Sequence, residues 1–374
     1  MSRRSSGHGM RLMASVALWL SVGAHADDGA FRTLPDLSFA RYEAAAGLLA
    51  DGTVLLYGPS YDADVFDPGV SSFAQAGTIP DARFGAALVP LPNGGALVLG
   101  GSAVDPRGVR YDAATHAWSW GPSLAVPRAH AQVATLADGR VLIAGGVGQD
   151  GVPLASAELF DPRTDTFVPT GDMPSPREGG IAQRLQDGRV LVAAGVDATG
   201  YGALCAAVYD PGSGVFAPAA CFYIAAQGHY LPASVVLRDG RVMLSGGVLF
   251  TGPSTQQAST DAEVYDPATN AWSSSWASAR VEHTLSLLAD GTVLVVGGKD
   301  AWGYPLADTE FYDPRSGAFR AGPALALGRA GHSASVLPGN RVLVAGGVVS
   351  GGGWTATAEL YTADALFADS FERP

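Results

Sequence analysis

The sequence predicts an all-β protein assembled from seven copies of one unit, and three recurring landmarks carry that expectation. A turn pair appears as Asp51-Gly52, Asn93-Gly94, Asp138-Gly139, Asp187-Gly188, Asp239-Gly240, Asp290-Gly291 and Gly339-Asn340. Seven residues after the start of each pair comes Gly58, Gly100, Gly145, Ala194, Gly246, Gly297 or Gly346, and all but the first are followed by another glycine. Ten residues before each pair stands Arg41, Arg83, Arg128, Arg177, His229, Arg280 or Arg329. Successive pairs are 42, 45, 49, 52, 51 and 49 residues apart, the length of a propeller blade or a comparable solenoid unit.

Residues 280–319 show the unit most clearly. An apolar run at 285–288 reaches the tight Asp290-Gly291 turn, a β-branched run follows at 293–296, and the two glycines end it. Residues 310–312 make a third strand, and Asp313-Pro314-Arg315-Ser316-Gly317 is turn chemistry leading to a fourth strand at Phe319. The aromatic pairs Phe66/Phe73, Tyr111/Trp118, Phe160/Phe167, Tyr209/Phe216, Tyr265/Trp272 and Tyr312/Phe319 are all seven apart, while Tyr361 and Phe367 miss by one. Prolines gather between units, and no helical period of useful length interrupts them.

The combination of R-x-x-H, D-G-x-V-L-V-x-G-G, A-E-x-Y-D-P and a trailing aromatic resembles the kelch repeat, over essentially all of residues 27–367. The resemblance implies a seven-bladed β-propeller with four antiparallel strands per blade, the first nearest the axis. Phe31 lies ten residues before Arg41, the spacing that separates Phe73 from Arg83 and Phe319 from Arg329, so residues 31–37 read as a fourth strand without its first three. That strand is expected to complete the last blade and remove two open sheet edges. The competing reading closes the ring with residues 366–371 instead.

The N-terminus reads as a secretory signal over residues 1–26. Arg3, Arg4 and Arg11 precede an apolar run at 12–24, and Ala24-His25-Ala26 is a small-x-small cleavage site. The propeller is expected at 27–367, with a frayed tail at 368–374. The apolar run is too short to span a bilayer, so no membrane span is expected after cleavage, and the product is expected to be secreted or periplasmic. In that oxidising setting Cys205 and Cys221, which flank a hairpin as diagonal neighbours, are either a disulfide or two buried thiols. The formal charge of −12 repels phosphate backbones and anionic lipid, which argues against nucleic-acid and membrane-surface roles. Lys299 is the single lysine. A monomer is expected.

The loop between second and third strands shares a face with the connection between blades, and these are the variable segments: 60–63, 102–108, 147–156, 196–204, 248–261, 299–308 and 348–357. Variable loops on a rigid scaffold are where binding resides. They carry Tyr201, Phe250, Trp302, Tyr304 and Trp354, alongside Asp150, Asp197, Lys299 and Asp300. Flat rings with polar rims suit a glycan or a protein partner, and the same rings also suit packing between loops. Five acids, Asp64, Glu158, Glu263, Glu310 and Glu359, recur almost as regularly as the arginines, so the two sets are expected to pair. Blades two and four have Val109 and Ala207 at the acid position, leaving Arg83 and Arg177 as the arginines expected to be free for a ligand.

His229, His283 and His332 fall near one axis and are the weak candidates for a metal. The kelch resemblance brings galactose oxidase into view, whose catalytic propeller holds copper with tyrosine and histidine and cross-links a cysteine to a tyrosine. This chain departs from that pattern. It has His229-Tyr230 in reversed order, and Cys205 near Tyr201 is the only echo of the cross-link. No nucleophile elbow, P-loop, HExxH or CxxC appears. The expectation is a binding module with no catalytic residue and no cofactor. The alternative is a secreted carbohydrate-active or radical-copper enzyme working at the axial mouth.

Overall fold

The computed structural model describes residues 29–222, 229–252 and 255–363. The leader at 1–26, the tail at 368–374 and the competing closing segment at 366–371 lie outside the described residues.

Every described element is a strand, and the strands form seven four-stranded antiparallel sheets, six of which run outward in chain order. Blade six shows the construction. Thr284–Leu287 turns at Asp290, whose Oδ1 accepts the Thr292 amide at 2.8 Å, and returns as Val293–Val296. Thr309–Asp313 and Ala318–Ala321 complete it, with Tyr312 directly opposite Phe319 and the two rings 4.9 Å apart. The seven-residue spacing of the aromatics is therefore the hairpin register, which a cross-strand ring pair helps to fix.

Six of the seven second strands are buried at every position, as at Val141–Ala144 and Val293–Val296, and the seventh at all but Arg341. Second-strand side chains alternate between the two neighbouring blades: Leu294 and Val296 pack on Val342 and Val344, while Val293 packs with Met243. The core is thus a set of wedges between blades, and each Leu or Val buried there contributes about 1.5–3 kcal/mol. Ser333–Leu337, the innermost strand of blade seven, packs on both Thr284–Leu287 of blade six and Ala45–Leu48 of blade one, which closes the ring.

Blade seven takes its outer strand from the other end of the chain. Ala30–Thr33 pairs antiparallel with Ala358–Thr362, Phe31 lies opposite Tyr361 and the rings are 5.4 Å apart. The Leu34 and Leu37 amides continue the attachment to the Ala358 and Ala356 carbonyls at 2.9 and 2.8 Å. This explains why Tyr361 has no aromatic seven residues later: Phe31 fills that place.

Two details differ from the sequence reading. The 248–261 segment holds an extra hairpin, Val248–Gly252 and Thr255–Ala258, which pairs with His229–Tyr230 in a separate three-stranded sheet. The β-branched and aromatic run after Gly247 continues extended pairing past the glycines that stop the other second strands. Cys205 and Cys221 form a disulfide, and they are direct cross-strand partners where diagonal neighbours were expected. A register shift between Cys205 and Ala207 brings them opposite.

Candidate functional site

The arginine that opens each unit is buried and serves as a clamp. Arg128 donates from Nη1 to the carbonyls of Gly145 and Ser156 at 2.9 and 2.8 Å, and from Nη2 to Glu158 at 3.1 Å. Arg329 repeats this with Gly346, Thr357 and Glu359 at 2.9, 2.8 and 2.9 Å. Arg280 does so with Gly297, Asp308 and Glu310, and Arg41 is paired with Asp64 at 2.5 Å. His229 replaces the arginine in blade five, with Nδ1 2.8 Å from the Gly246 carbonyl and Nε2 3.6 Å from Glu263. In blades three, five, six and seven the spacing to the first glycine is thus a hydrogen bond from side chain to backbone, whereas Arg41 reaches the Ser60 hydroxyl and the Asp62 carbonyl, and the acid completes the pair. Gly298 follows because a Cβ there would meet the Val281 carbonyl at 2.7 Å and the His283 Cβ at 2.8 Å.

Blades two and four lack the acid, yet neither arginine is free. Arg83 bonds Asp81 through Nε at 2.8 Å and the carbonyls of Gly100 and Arg107 through Nη1, leaving Nη2 with Asp105 at 3.8 Å. Arg177, 1 % exposed, reaches the Ala194 and Cys205 carbonyls and the Ser175 hydroxyl, and its Nε has no partner. Burial brings its pKa down to about 10, with Asp197 opposing. In blades three and seven the acid also accepts the amides of Ala125 and Ala326, three residues before the arginine. Blades two and four have Pro80 and Pro174 at that position. The acceptor and the amide that needed it are absent together, so the loss of the acid leaves no bare amide at that position.

The residues just after each arginine build the axial mouth. The second residue past the clamp, Glu43, Gly85, His130, Gly179, Leu231, Glu282 or Gly331, has positive φ in all seven blades, from 50° to 63°. That conformation costs about 1–2 kcal/mol for a non-glycine residue. It turns the peptide sideways so that neighbouring blades bond to one another around the axis. The amides of Glu43, His130, Gly179, Leu231 and Gly331 donate to the equivalent carbonyls of Gly331, Gly85, His130, Gly179 and Glu282 at 2.7–3.2 Å. Three of these positions need glycine for space as well: a Cβ at Gly85, Gly179 or Gly331 would strike the ring of His130, Tyr230 or Tyr42.

This mouth lies beside the variable loops, because the segment after each clamp bridges the start of a loop, as in Glu178 with Val196, Val281 with Lys299 and Ala330 with Val348. Trp354, 44 % exposed, lies 6.0 Å from the Tyr42 ring and 6.3 Å from Phe84. Phe250 packs edge-on against Tyr230 at 5.8 Å. Lys299 Nζ sits 2.8 Å from Glu282 and 5.6 Å above the Tyr42 ring. Burial, Glu282 and Glu43 push the Tyr42 hydroxyl far above its ordinary pKa. Burial, Glu178 and Glu43 raise Tyr230 to about 12. Burial raises the Glu178 carboxyl, with His130 opposing.

The sequence-predicted residues divide accordingly. Trp354 and Phe250 belong to the mouth. Trp302 and Tyr304, 81 % and 67 % exposed, stand on the 299–308 loop, whose turn is held by the Asp300 carboxylate accepting both their amides at 2.9 Å. Tyr201 is exposed on the loop 196–204. Tyr42, Glu43, Phe84, Glu178 and Glu282 were missed. Their signal was variability immediately after an otherwise repeating arginine. The concavities on the opposite face, near Arg110 and near Arg184, are lined partly by the repeating turns.

The three candidate histidines do not gather into one ion-binding cluster among the described residues. His229 is engaged within blade five, while His332 Nε2 bonds the Thr284 hydroxyl at 3.0 Å and His283 has no partner on either nitrogen. Among the described residues no three His, Cys, Asp or Glu side chains are placed to hold an ion. The Cys205 sulfur is committed to Cys221 and is unavailable for a link to Tyr201.

Seven four-stranded sheets closed into a ring make a propeller fold, and comparison with known proteins finds kelch motifs in part of it. The family model described as Kelch motif matches residues 128–174 and 229–274. Kelch-like protein 34 of Homo sapiens is 37% identical over 70 residues, 19% of this chain and 11% of that protein. Galactose oxidase of Gibberella zeae is 27% identical over 127 residues, 34% of this chain and 15% of that protein. The alignments thus span 15% or less of these relatives' own length. A solved structure titled as a novel fungal alcohol oxidase with catalytic diversity among the AA5 family, in complex with copper, superposes with a TM-score of 0.71. It is 16% identical and covers 90% of this chain and 76% of its own, a likeness of fold.

Proposed function

We propose that the chain is an exported binding module whose ligand, a glycan, docks on the loop face around the axial mouth. The carrying observation is the Tyr42, Phe84 and Trp354 ring cluster, partly exposed at the one face where the repeat varies and flanked by carboxylates. Such rings offer flat apolar area at low entropic cost, with polar groups at the rim for orientation. Export is supported by the leader-like residues 1–26 and by the Cys205–Cys221 disulfide.

A glycan array probed with the purified protein tests the reading. A hit that is lost in Trp354→Ala, with an unchanged melting temperature, supports it; Trp302→Ala reports whether the rim takes part. An empty array would remove the glycan. The high exposure of Trp302 and Tyr304 also suits a protein partner, and capture of one partner from the native secretome, lost with Trp302→Ala, would replace the glycan with that partner. The enzymatic alternative, carbohydrate-active or copper chemistry at the mouth, is tested by metal analysis: stoichiometric copper would overturn the binding reading.

A further inference from the structure

We infer that the axial mouth selects a glycan carrying free amino groups, an oligosaccharide of glucosamine type. This rests on the binding reading above and names the ligand class for the same site.

The rings come first. Trp354 is fixed from two sides by Tyr42 and Phe84 yet keeps 44 % of its surface exposed, a platform for the C–H face of a pyranose. Elsewhere around the mouth Tyr230 is supported by Phe250. The charge comes second. Glu282 already holds an ammonium: Lys299 Nζ, 2.8 Å away, lies over the face of Tyr42 at 5.6 Å. The chain's single lysine thus shows the group that this carboxylate and ring accept.

Glu43 and Glu178 stand in the same mouth with no ammonium or guanidinium paired to them among the described residues. Glu178 adjoins Gly179, where the Tyr230 ring fills the space a Cβ would take, and Glu43 is the mouth residue whose amide bonds the Gly331 carbonyl, so two blades each bring one acid to the same ring of backbone. A uronic or sulfated sugar would meet these acids and the chain's charge of −12 as repulsion. A neutral sugar would reach these carboxylates through its hydroxyl donors but would leave their charge uncompensated as water is displaced. An amino sugar satisfies both the rings and the carboxylates.

The test is titration calorimetry with three β-1,4-linked hexasaccharides, of glucosamine, N-acetylglucosamine and glucose, at low and high salt. The glucosamine hexamer is expected to bind at least about tenfold more tightly than the other two, with affinity falling as salt rises. Glu43→Gln and Glu178→Gln are each expected to weaken it about tenfold, with melting temperatures confirming the fold. Equal affinity for all three hexamers would overturn the inference while the glycan-binding reading stood. Equal affinity for hexalysine would remove the sugar from it. Unchanged binding in both Gln variants would move the site. No binding of any hexamer, with an empty glycan array, would remove the underlying reading itself. The salt series on the unaltered protein keeps the test decisive if a variant fails to fold.

Discussion

In blade seven Arg329 meets Glu359 at 2.9 Å, and the same carboxylate accepts the Ala326 amide at 2.8 Å. In blade four Arg177 is equally buried but finds only carbonyls and a hydroxyl, Ala207 stands where the acid would be, and Pro174 stands where the amide would be. Blade seven is also assembled from both chain ends, whereas blade four is continuous and carries the Cys205–Cys221 disulfide between its outer strands. The two blades share one outline. The difference teaches that in these two blades the arginine keeps the hydrogen bond to the carbonyl 17 residues on, Gly346 or Ala194, and that the acid is a dispensable second partner.

The largest expected effect tests the two-ended assembly. Deleting residues 30–37 removes the outer strand of blade seven and its attachment to Ala358 and Ala356. It exposes a sheet edge and the Tyr361 ring, and should remove a large share of the roughly 5–15 kcal/mol that holds a domain folded. Thermal melting reads this directly. An unchanged midpoint would mean that another segment closes the ring.

Next is the clamp. Arg329→Met leaves Glu359 buried without its cation and should cost about 3–5 kcal/mol in urea unfolding. Arg177→Met strands no carboxylate. It leaves the Ala194 and Cys205 carbonyls short of a donor, a loss of about 1–3 kcal/mol, offset by removing an uncompensated buried charge. Equal losses in the two variants would mean that the carboxylate adds nothing and that the blades are held alike.

The architecture was legible in the sequence because it is repeated. The register of Arg280, Gly297 and Tyr312 with Phe319 became the clamp and the ring pair, and the ten-residue interval from Phe31 to Arg41 located the closing strand. Single departures were harder to read. Val109 and Ala207 suggested vacant arginines, because the compensation lies in residues that break the pattern: Asp81, Asp105 and Ser175 as partners, and the prolines at 80 and 174. The mouth was the least legible part. Its geometry comes from a backbone conformation at positive φ shared by Glu, Gly, His and Leu, and no side-chain pattern announces it. Trp354 could be named as an exposed loop aromatic, but its partners Tyr42 and Phe84 come from blades one and two, and only ring closure brings them together.

The most gradual expected effect, spread over several pH units, separates the same two blades by acidity. Blade seven places His332 three residues after its clamp, and blade six places His283, where blade four has Gly180. Burial and then the neighbouring Arg280 or Arg329 lower both histidines from 6.5 to about 3. A histidine depressed in the folded state takes its proton more readily when unfolded. Stability is therefore full above pH 6.5, begins to fall as pH drops through 6.5 where the unfolded chain protonates, and levels off only near 3. The slope is at most about 1.4 kcal/mol per pH unit for each histidine. Urea midpoints between pH 7.5 and 5 should decline, and His283→Asn with His332→Asn should flatten that decline. Arg177→Met should leave the slope as it is, since blade four has no buried histidine beside its clamp. A slope unchanged in the histidine variants would place the acid sensitivity in other groups.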